Sequence, residues 1–92
     1  VSKLSVEIKG PSTEAKFTLD GDDKPLTRMG KKYIGSYDVT KGTHRYRITV
    51  RGAKREEWSA TVATDCESHE HDGDMSSTGR DTSGTRPIEA CS

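Results

Sequence analysis

Apolar and polar residues alternate one by one through most of residues 4–62. Leu4, Val6 and Ile8 alternate with Ser5 and Glu7 until Gly10-Pro11 breaks the run. Ala15, Phe17 and Leu19 alternate with Lys16 and Thr18 and end at Asp20-Gly21, a hairpin-turn dipeptide. Pro25, Leu26 and Met29 mark a shorter segment, expected as an edge strand because Pro donates nothing to a ladder. Tyr33, Gly35, Tyr37 and Val39 share one face of the next strand, and Thr40-Lys41-Gly42 turns the chain. His44, Tyr46, Ile48 and Val50 line one face of the clearest strand, and Arg45, Arg47, Thr49 and Arg51 line the other. A polar loop follows, and Trp58, Ala60 and Val62 close the pattern.

Each of these segments has period two, and none carries a sustained helical stripe. One apolar and one polar face per strand is what a sheet with one wet side requires. The pattern predicts an all-β protein, a small antiparallel immunoglobulin-like β-sandwich over residues 1–63. From Thr64 the apolar alternation stops. Residues 64–92 are rich in Ser, Thr, Gly and acidic groups, and Ile88 is their one branched aliphatic residue. So little apolar surface does not offset the entropy of ordering, and an irregular acidic tail is expected there. We expect Ile88 to dock on the body, and a Cys66–Cys91 disulfide to loop the tail.

Composition sharpens the division. Leu, Ile, Val and Phe total 13 of 92 residues, few enough to expect disorder somewhere in a small domain. Net charge is zero, but residues 1–63 carry 13 Lys and Arg against 8 Asp and Glu, and residues 64–92 carry 2 against 7. A basic body is thus joined to an acidic segment that can screen it. No apolar run reaches the roughly 20 residues that a membrane-spanning helix requires. The chain begins with Val, which suggests a processed or excised start. An even Cys count in a small chain suits a disulfide, hence an oxidising compartment, extracellular or periplasmic.

The stretch from Ala15 to Gly52 resembles the PEGA-type modules of bacterial surface proteins. It has a strand ending in Asp20-Gly21, a Pro at position 25, and a Gly-x-His-x-Tyr-x-Ile-x-Val-x-Gly strand from Gly42 to Gly52. "DDKP" stands near where the tetrapeptide that names the family would lie. The resemblance covers about 40 residues and implies a β-sandwich module of the cell envelope with no catalytic residues.

Candidate chemistry lies in three places. Cys66, His69 and His71, with Asp72, Asp74 and Cys91, offer donors for zinc or copper, although the paired spacings of zinc modules are absent. Asp72 and Asp74 are candidates for weak calcium binding without the EF-hand spacing. Arg45, Arg47, Arg51, Lys54 and Arg55 form a candidate contact for a polyanion or a partner. Tyr33, Tyr37, Tyr46 and Trp58 suggest a sugar-stacking platform, but each lies on the apolar face of its strand, where core packing is expected. No G-x-S-x-G, H-E-x-x-H or Walker-type pattern appears, so a non-catalytic protein without a cofactor is expected. The expected role is an accessory or interaction module of a secreted or envelope protein, monomeric and binding a protein or a surface polysaccharide rather than nucleic acid. The alternatives are a metal-binding protein and a carbohydrate-binding module.

Overall fold

Alternation becomes strands in the computed structural model. It describes residues 2–11 and 13–92; Val1, where the expected body begins, and Ser12 lie outside the described residues. The strands are β1 (Ser2–Lys9), β2 (Glu14–Leu19), β3 (Asp22–Lys24), β4 (Thr27–Met29), β5 (Lys32–Val39), β6 (Gly42–Arg51), β7 (Glu57–Ala63), β8 (Ser68–Asp74) and β9 (Arg80–Ala90). They form a five-stranded sheet in the order β4-β5-β1-β7-β8 and a four-stranded sheet in the order β3-β2-β6-β9. Neighbouring strands pair antiparallel throughout both. The two sheets pack face to face as a sandwich. In the immunoglobulin arrangement the first two strands are neighbours in one sheet. Here β1 and β2 lie in different sheets, and β1 sits between β5 and β7.

The inner faces carry the core. Leu4, Val6 and Ile8 of β1, Phe17 and Leu19 of β2, Ile48 and Val50 of β6 and Trp58, Ala60 and Val62 of β7 are all buried. Full burial of each large aliphatic side chain stabilises the fold by roughly 1.5–3 kcal/mol. The rings of Phe17 and Tyr37 stack with centroids 5.7 Å apart, and Phe17 and Tyr46 with centroids 5.9 Å apart. Gly35 makes room for this. A Cβ there would stand 2.1 Å from the Tyr37 hydroxyl, which instead lies back over the strand and donates to Pro25 O at 2.5 Å.

Asp20-Gly21 joins β2 to β3 as a two-residue hairpin, with φ of 51° and 87°. Positive φ at both positions is the turn whose twist matches the strands. The Asp20 carboxylate also accepts the Arg45 backbone N–H at 2.9 Å and meets His44 Nδ1 at 2.6 Å. It thereby ties the turn to the start of β6. His44 Nε2 lies 2.7 Å from Thr40 O, so the half-buried imidazole is held at both nitrogens.

The expected irregular tail is corrected. Residues 64–92 contribute β8 and β9, so the fold extends well past residue 63. β8 pairs with β7 from Ala63↔Ser68 to Glu57↔Asp74. β9 pairs with β6 from Gly42↔Ala90 to Arg51↔Arg80, interrupted by a bulge opposite Ile48 and Thr49. Ser83 is the extra residue; its hydroxyl accepts the Ile48 N–H at 3.0 Å, and Thr82 Oγ1 donates to Ile48 O at 2.8 Å. Backbone ladders, together with a few apolar side chains, therefore order this segment. The expected docking of Ile88 holds: it is buried, with Ala90 and Met75. Cys66 and Cys91 form a disulfide with a Cα–Cα distance of 5.9 Å, clamping the loop before β8 to the end of β9.

Candidate functional site

β8 and β9 are the outermost strands of their sheets, and they meet along one open side of the sandwich. A polar seam fills that side. On β8 the inward positions are His69, His71 and Gly73, because residues two apart point to one face. Opposite them, Tyr46 of β6 is buried at 1% exposure. Its hydroxyl lies 2.5 Å from His71 Nε2 and 3.1 Å from His69 Nδ1. The far nitrogen of His69, Nε2, meets the Glu67 carboxylate at 3.3 Å. Glu67 also accepts the Glu89 N–H, tying the seam to β9. Arg86 stands opposite Tyr46 in the ladder, and its Nε donates to Ser83 O at 3.3 Å.

Burial sets the electrostatics. It pushes the Tyr46 phenol up to about 12, with Arg86 opposing and Glu67 reinforcing the shift. Burial also lowers the His71 imidazole, reinforced by repulsion from Arg86 and His69 and opposed by Asp72. Glu67 is held below the usual carboxylate range by the Glu89 N–H and by His69.

Farther along the seam, Trp58 Nε1 donates to Asp81 Oδ2 across the two sheets at 2.7 Å. Gly73 permits this bond. A Cβ at Gly73 would stand 2.7 Å from Asp81 Oδ2 and 3.2 Å from Trp58 Nε1. Beyond it, Met75 caps the end of the core.

The metal set expected from the sequence is divided. Cys66 and Cys91 share a disulfide, so neither offers a thiolate. Asp65 lies beside them, but its carboxylate already accepts Ser2 Oγ at 2.8 Å, the Cys91 N–H at 3.0 Å and Ser92 Oγ at 2.9 Å. Asp72 and Asp74 alternate with the inward histidines and stand exposed on the outer face. Of the six residues, only His69 and His71 stay together as donors, and their partner is Tyr46, which the sequence offered as a core or sugar-stacking residue and not as a ligand. A signal was present. In Ser68–Asp74 small and imidazole side chains alternate with carboxylates, a period-two pattern written entirely in polar residues.

The four-stranded sheet has a mainly basic outer face, whereas the five-stranded sheet carries exposed Lys3, Lys9 and Lys32 on β1 and β5 and carboxylates toward β8. On the four-stranded sheet, Lys16, Arg45, Arg47, Arg51 and Arg80 are exposed. Arg51 is the cross-strand partner of Arg80, a like-charge pair that costs stability. Glu14 offsets part of this at one end, 3.4 Å from Arg51 and 3.7 Å from Lys16. Among the described residues Arg45 and Arg80 have no carboxylate within ion-pair distance. Lys54 and Arg55 lie in the loop between β6 and β7, as expected, beyond the end of the arginine row. On the five-stranded sheet, Glu57, Glu70, Asp72 and Asp74 are exposed, and Glu57 pairs with Asp74 across strands. Lys16 and Arg80 were missed from sequence because the patch is assembled by strand pairing.

Tyr33, Tyr46 and Trp58 are buried in the core, and Tyr37 packs on Phe17. These four therefore form no exposed stacking platform. No helix is long and apolar enough to cross a membrane among the described residues. The chain matches no protein-family model, no curated protein and no solved structure.

Proposed function

We propose that this protein is a non-catalytic binding module of a secreted or cell-envelope protein. Its contact surface is the outer face of the four-stranded sheet, and its partner is an acidic protein or an anionic surface polysaccharide. One observation carries the reading. Arg51 and Arg80 are direct cross-strand partners on an exposed face that also holds Arg45, Arg47 and Lys16. Glu14 faces Arg51 from β2, but Arg45, Arg47 and Arg80 meet no carboxylate within ion-pair distance among the described residues, and such like charges side by side cost stability. Arg45 to Arg51 spans about 20 Å of strand, long enough to follow an extended anionic chain. The disulfide suits an oxidising, extracytoplasmic setting. The resemblance to envelope modules in the Ala15–Gly52 stretch points the same way.

The experiment is charge reversal at Arg45 and Arg47. Both side chains are exposed, so the double Glu variant keeps its thermal midpoint. Wild type is expected to bind a sulfated polysaccharide and an acidic polypeptide at about 0.15 M salt, and more weakly as salt rises. The variant is expected to lose at least about tenfold in affinity, near 1.4 kcal/mol. Equal binding by both proteins removes the basic sheet as the contact.

A further inference from the structure

We propose that Tyr46, His69 and His71 form a binding site for a divalent transition metal, with copper(II) the best fit. The site is separate from the basic sheet face and does not depend on the reading above. Two imidazole nitrogens on one strand converge on a single phenol oxygen from the facing sheet, at 3.1 Å for His69 Nδ1 and 2.5 Å for His71 Nε2. Ligand atoms about 2.0 Å from a metal lie about 2.8 Å apart at right angles and about 3.3 Å apart at tetrahedral angles. The His69 distance already falls in that interval. The His71 distance opens by about 0.3 Å for a right-angled site and by about 0.8 Å for a tetrahedral one. The smaller movement favours the tetragonal geometry of copper(II), which is also the tightest binder of the divalent series at nitrogen and oxygen ligands.

The surroundings support ligation. Glu67 lies 3.3 Å from His69 Nε2, the nitrogen remote from the centre. A carboxylate on the far nitrogen is the usual device for fixing the tautomer and orientation of a metal-ligating histidine. With Nε2–H donating to Glu67, Nδ1 of His69 presents a lone pair to the centre. His71 lies on an edge strand and is half-buried, so it has room for the small shift and the site is open to solvent. A water completes the coordination. Arg86 is the opposing charge nearby; the tyrosinate and Glu67 set two negative charges against it.

Without metal, the Tyr46 O–H donates to His69 Nδ1, and the phenol oxygen accepts Nε2–H of His71. On binding, Tyr46 loses its proton to solvent and ligates as the phenolate. His71 moves its proton to Nδ1 and ligates through Nε2. One proton is released per metal ion, and no electron moves.

The test is a copper(II) titration of the oxidised full chain, with thiol alkylation confirming that neither Cys is free. We expect saturation at one equivalent, release of about one proton per copper, and a visible phenolate-to-copper charge-transfer band. Tyr46→Phe is expected to abolish the band. His69→Gln and His71→Gln are each expected to weaken binding at least about tenfold. His44→Ala, away from the seam, is expected to leave the titration unchanged. Absence of saturable binding overturns the proposal, as does a band that survives in folded Tyr46→Phe. If Tyr46→Phe does not fold, electron paramagnetic resonance of the wild type decides. Coupling to two imidazole nitrogens, one lost in each histidine variant, supports the site; coupling unchanged in both variants overturns it.

Discussion

The inner faces of β6 and β8 differ in kind. β6 turns Tyr46, Ile48 and Val50 inward, all essentially inaccessible. β8 turns His69, His71 and Gly73 inward, none of them fully buried. Both are strands of one sandwich, but only β6 is held by apolar packing. β8 is held by its ladder to β7, by two imidazoles on a phenol, and by a disulfide at its root. The reason is position. A strand inside a sheet has neighbours on both sides and little access to water, so a polar inward group there carries the full cost of desolvation. A strand at the rim retains partial access, and a polar inward group costs less if it finds a partner.

The largest expected effect separates the two regions directly. Ile48→Ala should destabilise by about 2–5 kcal/mol through lost transfer and cavity, whereas His71→Ala should cost under about 1 kcal/mol. Chemical denaturation monitored by Trp58 fluorescence measures both, and equal losses would dissolve the distinction.

The disulfide comes next. It joins residues 25 apart in sequence and encloses the whole of β8 and β9. In the loop-entropy model, the Cys66→Ser/Cys91→Ser pair should lose about 3 kcal/mol. Hydrogen exchange should rise in β8 and β9 more than in β1 and β6. Uniform loss of protection would mean that the seam does not open separately.

Glycine offers a finer contrast within the seam. Gly79 has φ of +75°, and a Cβ there would stand 2.3 Å from Gly52 O. Gly84 has φ of +72° with open space around it. Gly79→Ala should therefore cost about 2–3 kcal/mol and Gly84→Ala about 1 kcal/mol, measured by thermal melting. Asp81→Ala tests the cross-sheet bond to Trp58. It should cost about 1–2 kcal/mol and shift the Trp emission, because a buried indole N–H loses its acceptor.

The smallest effect is a pH dependence in the body. The Asp20 hydrogen bond raises the His44 pKa above 6.5, helped by Thr40 O and by the charge of Glu89 and opposed by desolvation. Desolvation raises Asp20, but its bonds to His44 and the Arg45 N–H outweigh that and leave it below 3.8. The His44 contribution is complete below pH 6.5 and is lost as pH rises through the folded value. The Asp20 contribution is present above pH 3.8 and is lost as pH falls through its lowered value. Stability from this pair is thus greatest between those limits. His44→Ala should flatten the decline above pH 6.5, and a decline unchanged in the variant would assign it to another group.

Much of the body could be read without coordinates. Leu4, Phe17, Tyr46, Ile48 and Trp58 sit where their alternation put them, facing inward. The Asp20-Gly21 hairpin and the edge strand after Pro25 were equally readable, since turn chemistry and a missing donor are local properties. The rest was not readable for two reasons. The order of β9 depends on β6, a ladder partner far away in sequence, and backbone groups carry no residue code. The inward set of β8 is polar, so a search for apolar alternation passed over it.

Residue types and their spacing settled the all-β class, the strands of the body and the pair of cysteines available to bridge. Those are consequences of local sterics and of the two-residue repeat of a strand. Strand pairing and the packing of the two sheets settled the rest: that the acidic segment becomes two strands, that Arg80 joins the arginines of β6, and that His69 and His71 close on Tyr46 while Asp72 and Asp74 face away. A one-residue slip in the register of β7 and β8 would have turned the carboxylates inward and the imidazoles out. That register is set by the β7–β8 hairpin, through its connection over 64–67 and the buried face of β7.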